Sequence, residues 1–142
     1  MNGLIATADV EVSASPSQVW NALTDPDLIR KYLFGAEVDT TWEPGSPIHW
    51  RGEYDGRSFE DKGEVLDCVP EQKLTVTHYS PLTGQEDRPE SYHTVSWALT
   101  DRGDRTHLAL VQDNNHNAES VQRSSADWQT VLDQLKELVE RG

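Results

Sequence analysis

Cysteine, basic residues and long apolar runs are all scarce in this chain of 142 residues. The single cysteine, Cys68, cannot form an internal disulfide, so nothing indicates an oxidising compartment. Its sequence neighbours are apolar or acidic, and no adjacent cation would stabilise a thiolate. We therefore expect a structural thiol and not a nucleophile.

The shortage of basic residues excludes two classes of partner. The chain has 12 Lys and Arg against 25 Asp and Glu, a formal net charge of -13. Nucleic-acid binding depends on Lys and Arg that displace counterions, and anionic membranes attract the same side chains. We expect neither a nucleic-acid partner nor a membrane partner. The acidity favours solubility, and steering of a cationic ligand is the alternative.

No apolar run approaches the length of a bilayer span. The longest, such as residues 108–111, are far too short. No basic residue precedes Arg30, and Asp9 and Glu11 fall where a signal peptide needs an apolar core. We therefore predict a cytoplasmic protein that forms a single domain over residues 1–142.

What the chain does contain is a series of short periodic segments. Residues 4–14 alternate apolar and polar side chains, which predicts a half-buried strand. Residues 15–18, Ser-Pro-Ser-Gln, form a capping box that begins a short helix. Asp25-Pro26 begins a second short helix, which should end near Gly35.

Turn signals then separate further strands. Pro44-Gly45 is typical of a type II turn, and Asp55-Gly56 of a two-residue hairpin. The polar connection of residues 80–90 either borders a cavity or is an ordinary solvated loop. Strands are predicted over residues 37–41, 47–54, 58–69, 73–79, 91–100 and 105–114.

The longest helix is predicted over residues 118–141. In its first half, small or polar residues such as Ser124 and Ser125 occupy the face that is apolar in the second half, so tight packing is expected only in the second half. A hollow would then remain over the sheet. The apolar residues that share this face are Trp128, Val131, Leu132, Leu135, Leu138 and Val139.

This element order predicts an α+β helix-grip fold. A curved antiparallel sheet of about six to seven strands would carry two short helices after its first strand, with the long C-terminal helix packed on the sheet.

Particular motifs along the chain resemble a known family. Residues 19–26, Val-Trp-Asn-Ala-Leu-Thr-Asp-Pro, are similar to its N-terminal segment, and residues 45–48, Gly-Ser-Pro-Ile, and 63–66, Gly-Glu-Val-Leu, continue the pattern. The family is the activator of Hsp90 ATPase homologue 1-like (AHSA1-like) family of the SRPBCC, or START-like (Bet v 1-like), superfamily. The resemblance covers essentially the whole chain. It implies a scaffold that contains a cavity, but it does not identify the ligand. The family often has Trp at the position that Tyr32 occupies in this chain. This difference changes a residue of one expected cavity wall.

Two of the five histidines are candidates for a site. None of the five has the spacing of a metal motif, so we expect neither a metal nor a cofactor. A register with Tyr79 opposite Tyr92 would place His78 and His93 on one face of the sheet. There they would hydrogen-bond a ligand or act as acid and base; ordinary strand histidines are the alternative.

Large aromatic residues complete the candidate site. Alternation places several of them on shared strand faces, where they either line a ligand cavity or fill the core. The predicted ligand-binding residues are Trp50, Tyr54, Phe59, His78, His93 and Trp97.

Three hypotheses about function follow. The first is binding of a small hydrophobic or aromatic molecule between the C-terminal helix and the sheet, without covalent chemistry. The second, an enzyme resembling aromatic cyclases, would use His78 or His93 as acid or base. The third, stimulation of an Hsp90-type ATPase, is implied only by the family and ranks last, since the separate N-terminal domain of such co-chaperones has no room in this length. A homodimer through an exposed sheet edge stays open.

Overall fold

The computed structural model describes residues 3–54 and 56–141, with the side chain of Tyr54 outside the described set. The predicted order of elements is confirmed, and the predicted strand ends lie within two residues of those observed. Two single turns of 3-10 helix, Pro81–Thr83 and Pro89–Ser91, lie between β5 and β6. The main elements are β1 Leu4–Val12, α1 Pro16–Thr24, α2 Pro26–Tyr32, β2 Glu37–Asp39, β3 Pro47–Tyr54, β4 Arg57–Val69, β5 Lys73–His78, β6 His93–Asp101, β7 Thr106–Asn115 and α3 Ala118–Arg141.

The strands form one antiparallel sheet in the order β1-β7-β6-β5-β4-β3-β2. Chain neighbours pair throughout, except that β7 returns beside β1, so the first and last strands meet. With the two short helices after β1 and the long helix at the C-terminus, the predicted α+β helix-grip fold is confirmed.

Local sequence signals begin both short helices. The Ser15 hydroxyl accepts from the Gln18 backbone N–H at 3.2 Å, and the Gln18 side chain accepts from the Ser15 N–H at 3.0 Å, so the predicted capping box is present. Asp25 ends α1 and caps α2 by accepting from the Asp27 N–H at 2.9 Å.

The predicted type II turn is also present. Gly45 has a φ of 91°, and the Ser46 N–H donates to the Glu43 carbonyl at 2.9 Å. The hairpin predicted at Asp55-Gly56 includes Asp55, which lies outside the described residues.

Strand β4 approaches β5 most closely at Gly63. A Cβ built on this glycine would lie 1.8 Å from the Thr77 carbonyl oxygen, closer than any side chain tolerates. The neighbouring Glu64 N–H donates to the Thr77 hydroxyl at 2.9 Å, so the two strands are held together at this point. Strand β4 pairs with β3 from Arg57 to Glu64 and with β5 from Val65 to Val69, and Lys62 forms a further bridge with Tyr79. The glycine therefore lies where the β2-β3-β4 segment joins the rest of the sheet.

Helix α3 packs unevenly, as the sequence predicts. Its buried residues, Val131, Leu132 and Leu135, all lie in its C-terminal half. They join a core cluster that includes Val12 of β1 and Leu108 of β7. The N-terminal half of the helix contributes only partly buried or exposed residues to this packing.

The outer edge of β1 is bonded to α3. The Asp9 carbonyl accepts from the Gln129 side chain at 2.9 Å, and the Glu11 carbonyl accepts from the Lys136 ammonium at 2.7 Å. The Ser13 N–H donates to Glu140 at 2.8 Å. These helix side chains take the place of a neighbouring strand.

Candidate functional site

A cavity of about 260 Å³ lies between the concave face of the sheet, the α1–α2 pair and α3. Strands β3 to β6 form its floor, and Trp128 and Val131 of α3 form part of its roof. Most of its lining side chains are apolar. The aromatic ones are Tyr32, Phe34, Trp42, Trp50, Phe59, Trp97 and Trp128.

The aromatic rings are held by specific contacts. Trp97 of β6 meets Trp128 of α3 edge to face, with 6.0 Å between ring centroids. Phe59 lies directly opposite Gly52, and a Cβ there would lie 3.1 Å from the Phe59 ring. Gly52 therefore leaves space for the Phe59 ring on this face of the sheet.

A carboxylate and an imidazole form the polar part of the lining. His78 Nε2 lies 2.8 Å from Asp61 Oδ2, with side chains 28% and 14% exposed respectively. The His78 ring also meets Trp50 edge to face, with 5.1 Å between centroids. Asp61 lies directly opposite Trp50 across β3 and β4, and Gly63 brings this strand against β5 beside His78.

The Asp61 carboxylate uses little of its hydrogen-bonding capacity. An ionised carboxylate accepts about four hydrogen bonds, and His78 supplies the one recorded for Asp61 among the described residues. Its other oxygen, Oδ1, is buried and has no hydrogen-bond partner among those residues. A polar ligand atom placed here would meet an acceptor with unused capacity.

Tyr32 contributes a ring but not a free hydroxyl. Its hydroxyl donates to the Ala22 carbonyl at 2.8 Å, which ties α2 to α1. Burial raises the pKa of Tyr32 far above its ordinary value, so the phenol stays neutral.

The two candidate histidines pair across the strands but have different surroundings. His78 lies directly opposite His93, so the two residues belong to the same face of the sheet. His78 lines the cavity, whereas the His93 Nδ1–H donates to the carbonyl of Asp113 on β7 at 2.8 Å. His93 lies one strand further from β4, and this bond holds its ring toward β7. Only His78 faces both the cavity and Asp61.

Of the other predicted site residues, Trp50, Phe59 and Trp97 line the cavity together with His78. The side chain of Tyr54 lies outside the described residues. The predicted set is thus brought together around β3, β4, β5 and β6, with His93 beside it.

Sequence reasoning missed Asp61, although a signal existed. Asp61 lies between Phe59 and Gly63 on the inward-facing side of β4, where an ionisable residue is unexpected. It also missed Trp42 and Phe34, which reach the cavity from irregular segments. Leu82 comes from the 80–90 connection, which therefore borders the cavity.

Two of the missed residues have unfavourable backbone conformations. Phe34 and Trp42 adopt positive φ values of 52° and 65°. The Gly35 N–H donates to the Arg30 carbonyl at 3.0 Å, a helix-ending bond in which Phe34 occupies the position usually taken by glycine. Such strain costs about 1–3 kcal/mol per residue and concentrates at ligand sites. Phe34 is 58% exposed and Leu82 41%, so both border the cavity opening.

Across residues 3–54 and 56–141, no group of three His, Cys, Asp or Glu side chains is arranged to hold a metal ion. Burial, followed by the nearby Asp67 carboxylate, raises the pKa of the Cys68 thiol, which disfavours a thiolate.

Comparison with known proteins gives the family. The sequence model described as "Activator of Hsp90 ATPase homolog 1-like protein" matches residues 13–140. The chain belongs to this family. Among curated protein sequences, none matches the chain significantly.

Solved structures similar to this AHSA1-like chain agree with its fold. The solution structure of ChR145 from Cytophaga hutchinsonii is 39% identical, with a TM-score of 0.87 over 99% of this chain and 97% of that one. The Aha1 dimer from Colwellia psychrerythraea is 19% identical, with a TM-score of 0.75 over 96% of each chain. DynU16, from the dynemicin biosynthetic locus, is 20% identical, with a TM-score of 0.79 over 96% of this chain and 47% of that one.

The AHSA1-like assignment also agrees with the predicted Bet v 1-like superfamily. In the described part of the chain, no helix has the length and apolar character needed to cross a membrane. The cytoplasmic location stays a prediction from the sequence.

Proposed function

We propose that this AHSA1-like protein binds a small apolar or aromatic molecule in the cavity between α3 and the sheet, without covalent chemistry. The observation that carries the proposal is the cavity of about 260 Å³, walled by aromatic side chains and bordered by a partly buried carboxylate–imidazole pair. Ligand sites are typically apolar with a few oriented polar groups.

Packing supports the same proposal. Protein interiors leave few voids larger than a water molecule, and each void forfeits contacts that a filled core would make. A cavity of about 260 Å³ is therefore a costly feature in a small domain unless a ligand fills it. The strained backbone of Phe34 and Trp42 adds to this cost at the same site.

The test combines native mass spectrometry of freshly purified protein with a thermal-shift screen of hydrophobic and aromatic metabolites. We expect a bound mass, or a concentration-dependent rise in Tm. Val76→Phe should fill the cavity and abolish either signal, whereas Val69→Phe, on an exposed residue outside the lining, should retain it. An empty protein mass together with a flat screen would contradict ligand binding.

A second candidate is a cyclase-like enzyme, favoured by one observation. His78 borders the cavity while Asp61 accepts a hydrogen bond from its Nε2, an arrangement that orients an imidazole for acid–base work. For a substrate found by the screen, we expect His78→Ala to abolish turnover while leaving the fold and affinity largely intact. His93→Ala should turn over normally, because the His93 ring is bonded to the Asp113 carbonyl. Normal turnover by His78→Ala would remove the catalytic role.

Protein partners are the remaining candidates. Stimulation of an Hsp90-type ATPase has only the family name in its favour; a pull-down without retention and an unchanged ATPase rate would exclude it. A homodimer through a sheet edge would use β2, since the outer edge of β1 is bonded to α3. Light scattering over a range of protein concentrations tests this.

A further inference from the structure

We infer that the cavity is selective for a two-ring aromatic molecule whose polar group donates a hydrogen bond to Asp61, and that it rejects analogues bearing a carboxylate. The inference rests on the proposed ligand-binding function and specifies the chemistry of that ligand.

Cavity size sets the number of rings. An engineered protein cavity of about 150 Å³ holds a single benzene ring. The cavity here, at about 260 Å³, is less than twice as large. One ring would leave it loosely filled, whereas two fused rings match its volume. Its aromatic walls favour a planar occupant, because rings attract one another in stacked and edge-to-face arrangements.

The charges of the lining set the polarity of the ligand. The acidic side chains among the described lining residues are Asp61 and the exposed Glu53, and that lining includes no Lys or Arg. A ligand carboxylate would therefore meet like charge without a cation to pair with it, in a site where desolvation is costly.

The hydrogen-bonding state of the pair points to a donor on the ligand. Because the Nε2–H of His78 is directed at Asp61, the Nδ1 of a neutral His78 is an acceptor. Asp61 has acceptor capacity beyond its bond to His78. Both residues line the cavity and retain lone pairs without a protein partner, so an O–H or N–H on a ligand beside them would complement these lone pairs. Either a neutral hydroxyl or a cationic amine meets this requirement.

A matched series of probes tests the inference. Methylnaphthalene, naphthylmethanol, naphthylmethylamine and naphthoate share two fused rings and differ only in the substituent. Quenching of the tryptophans that line the cavity gives each Kd. For the unmodified protein we expect naphthylmethanol or naphthylmethylamine to bind at least about tenfold more tightly than methylnaphthalene, as a hydrogen bond to a charged acceptor requires. Naphthoate should bind at least about tenfold more weakly than methylnaphthalene.

Asp61→Asn then identifies the residue responsible. The variant should lose most of the preference for the donor probe and most of the discrimination against naphthoate. Asp67→Asn is the matched control, since Asp67 lies on the same strand, half-exposed and outside the cavity lining. The Asp67→Asn variant should bind the four probes in the same order of affinity as the unmodified protein. If Asp61→Asn fails to fold, the order of probe affinities measured with the unmodified protein still tests the inference.

The outcomes separate this inference from the proposed function. If methylnaphthalene binds as tightly as both donor probes, or naphthoate binds as well as methylnaphthalene, the inference is wrong and ligand binding stands. If none of the probes binds, and the metabolite screen is also flat, the proposed function itself is lost. An amine preference over the alcohol would identify a cationic ligand.

Discussion

The two ends of the sheet differ in how completely they are packed. At the β1 end, α3 side chains bond the outer backbone groups of the strand, and residues such as Leu132 and Val12 are fully buried between helix and sheet. At the β3–β4 end, the sheet and helices enclose a cavity, and Asp61 holds a buried oxygen without a partner among the described residues. The first end is filled, although Glu11 Oε2 and Gln112 Oε1 are also buried there without a hydrogen-bond partner among the described residues. The second end is hollow.

The difference separates residues that maintain the fold from residues available to a ligand. A buried polar group with a partner stabilises the structure, whereas one left without a partner costs about 1–3 kcal/mol. Buried side chains at the filled end should therefore govern stability, and side chains that line the cavity should govern binding.

The largest effect is expected for Gly63→Ala, which disrupts the junction that forms the hollow end. The added Cβ would lie 1.8 Å from the Thr77 carbonyl oxygen, and neither backbone can yield easily. We expect a loss of more than about 3 kcal/mol in the free energy of unfolding, measured by urea denaturation. Gly84→Ala is the control, because nothing lies near its Cβ and only its φ of 78° is strained. It should cost about 1–2 kcal/mol.

Leu132→Ala should give the next largest loss and show where stability resides. Leu132 is fully buried at the filled end, so truncation should cost about 2–5 kcal/mol while leaving methylnaphthalene affinity unchanged. Leu82→Ala, at the cavity opening, should change stability by less than about 0.5 kcal/mol and weaken that affinity. Equal effects of both variants on affinity would contradict the division into two ends.

Replacing both polar groups of the cavity should not lower stability, whereas replacing one of them should. We expect Asp61→Leu with His78→Leu to leave stability unchanged or raise it by about 1 kcal/mol, because replacing both partners of a hydrogen bond with apolar groups removes their desolvation cost together with the bond. His78→Leu alone should destabilise, since it leaves the carboxylate unpaired. A double-mutant cycle of unfolding free energies measures both. A strongly destabilised double variant would indicate that the pair maintains the fold.

The smallest effect is expected at the filled end, for Glu140→Gln. The hydrogen bond from Lys136, and then the one from the Ser13 backbone, lower the pKa of Glu140 below its ordinary value of 4.5. Its contribution is therefore present above pH 4.5 and lost as the pH falls through the lowered pKa. The variant should lose less than about 1 kcal/mol at pH 7, and the difference should vanish in acid. A difference that grows in acid would contradict this sign.

Much of the fold could be predicted because its signals are local. The capping box at Ser15, the type II turn at Gly45 and the full extent of α3 all follow from residues close together in the chain. The sequence offered the register that pairs His78 with His93 only as a condition, and the backbone pairing of β5 with β6 fulfils it.

The site was predicted only in part, since facing a cavity depends on more than a shared strand face. His78 and His93 are directly opposite, yet the bond from His93 to the Asp113 carbonyl depends on β7, which lies far along the chain. Phe34 and Trp42 reach the cavity through positive φ values that their residue types do not favour. No periodic pattern of apolar residues in the sequence predicts that residues in such conformations line a cavity.

From the sequence alone follow the helix-grip order of elements and the uneven packing of α3, because each depends on periodicity, capping or turn chemistry within a short segment. Tertiary structure decided which polar groups meet. Asp61 and His78 meet across β4 and β5, which approach each other closely at Gly63, and the cavity lies between these strands, α2 and α3. Contacts of this kind depend on distances between elements, which no local pattern of residues encodes.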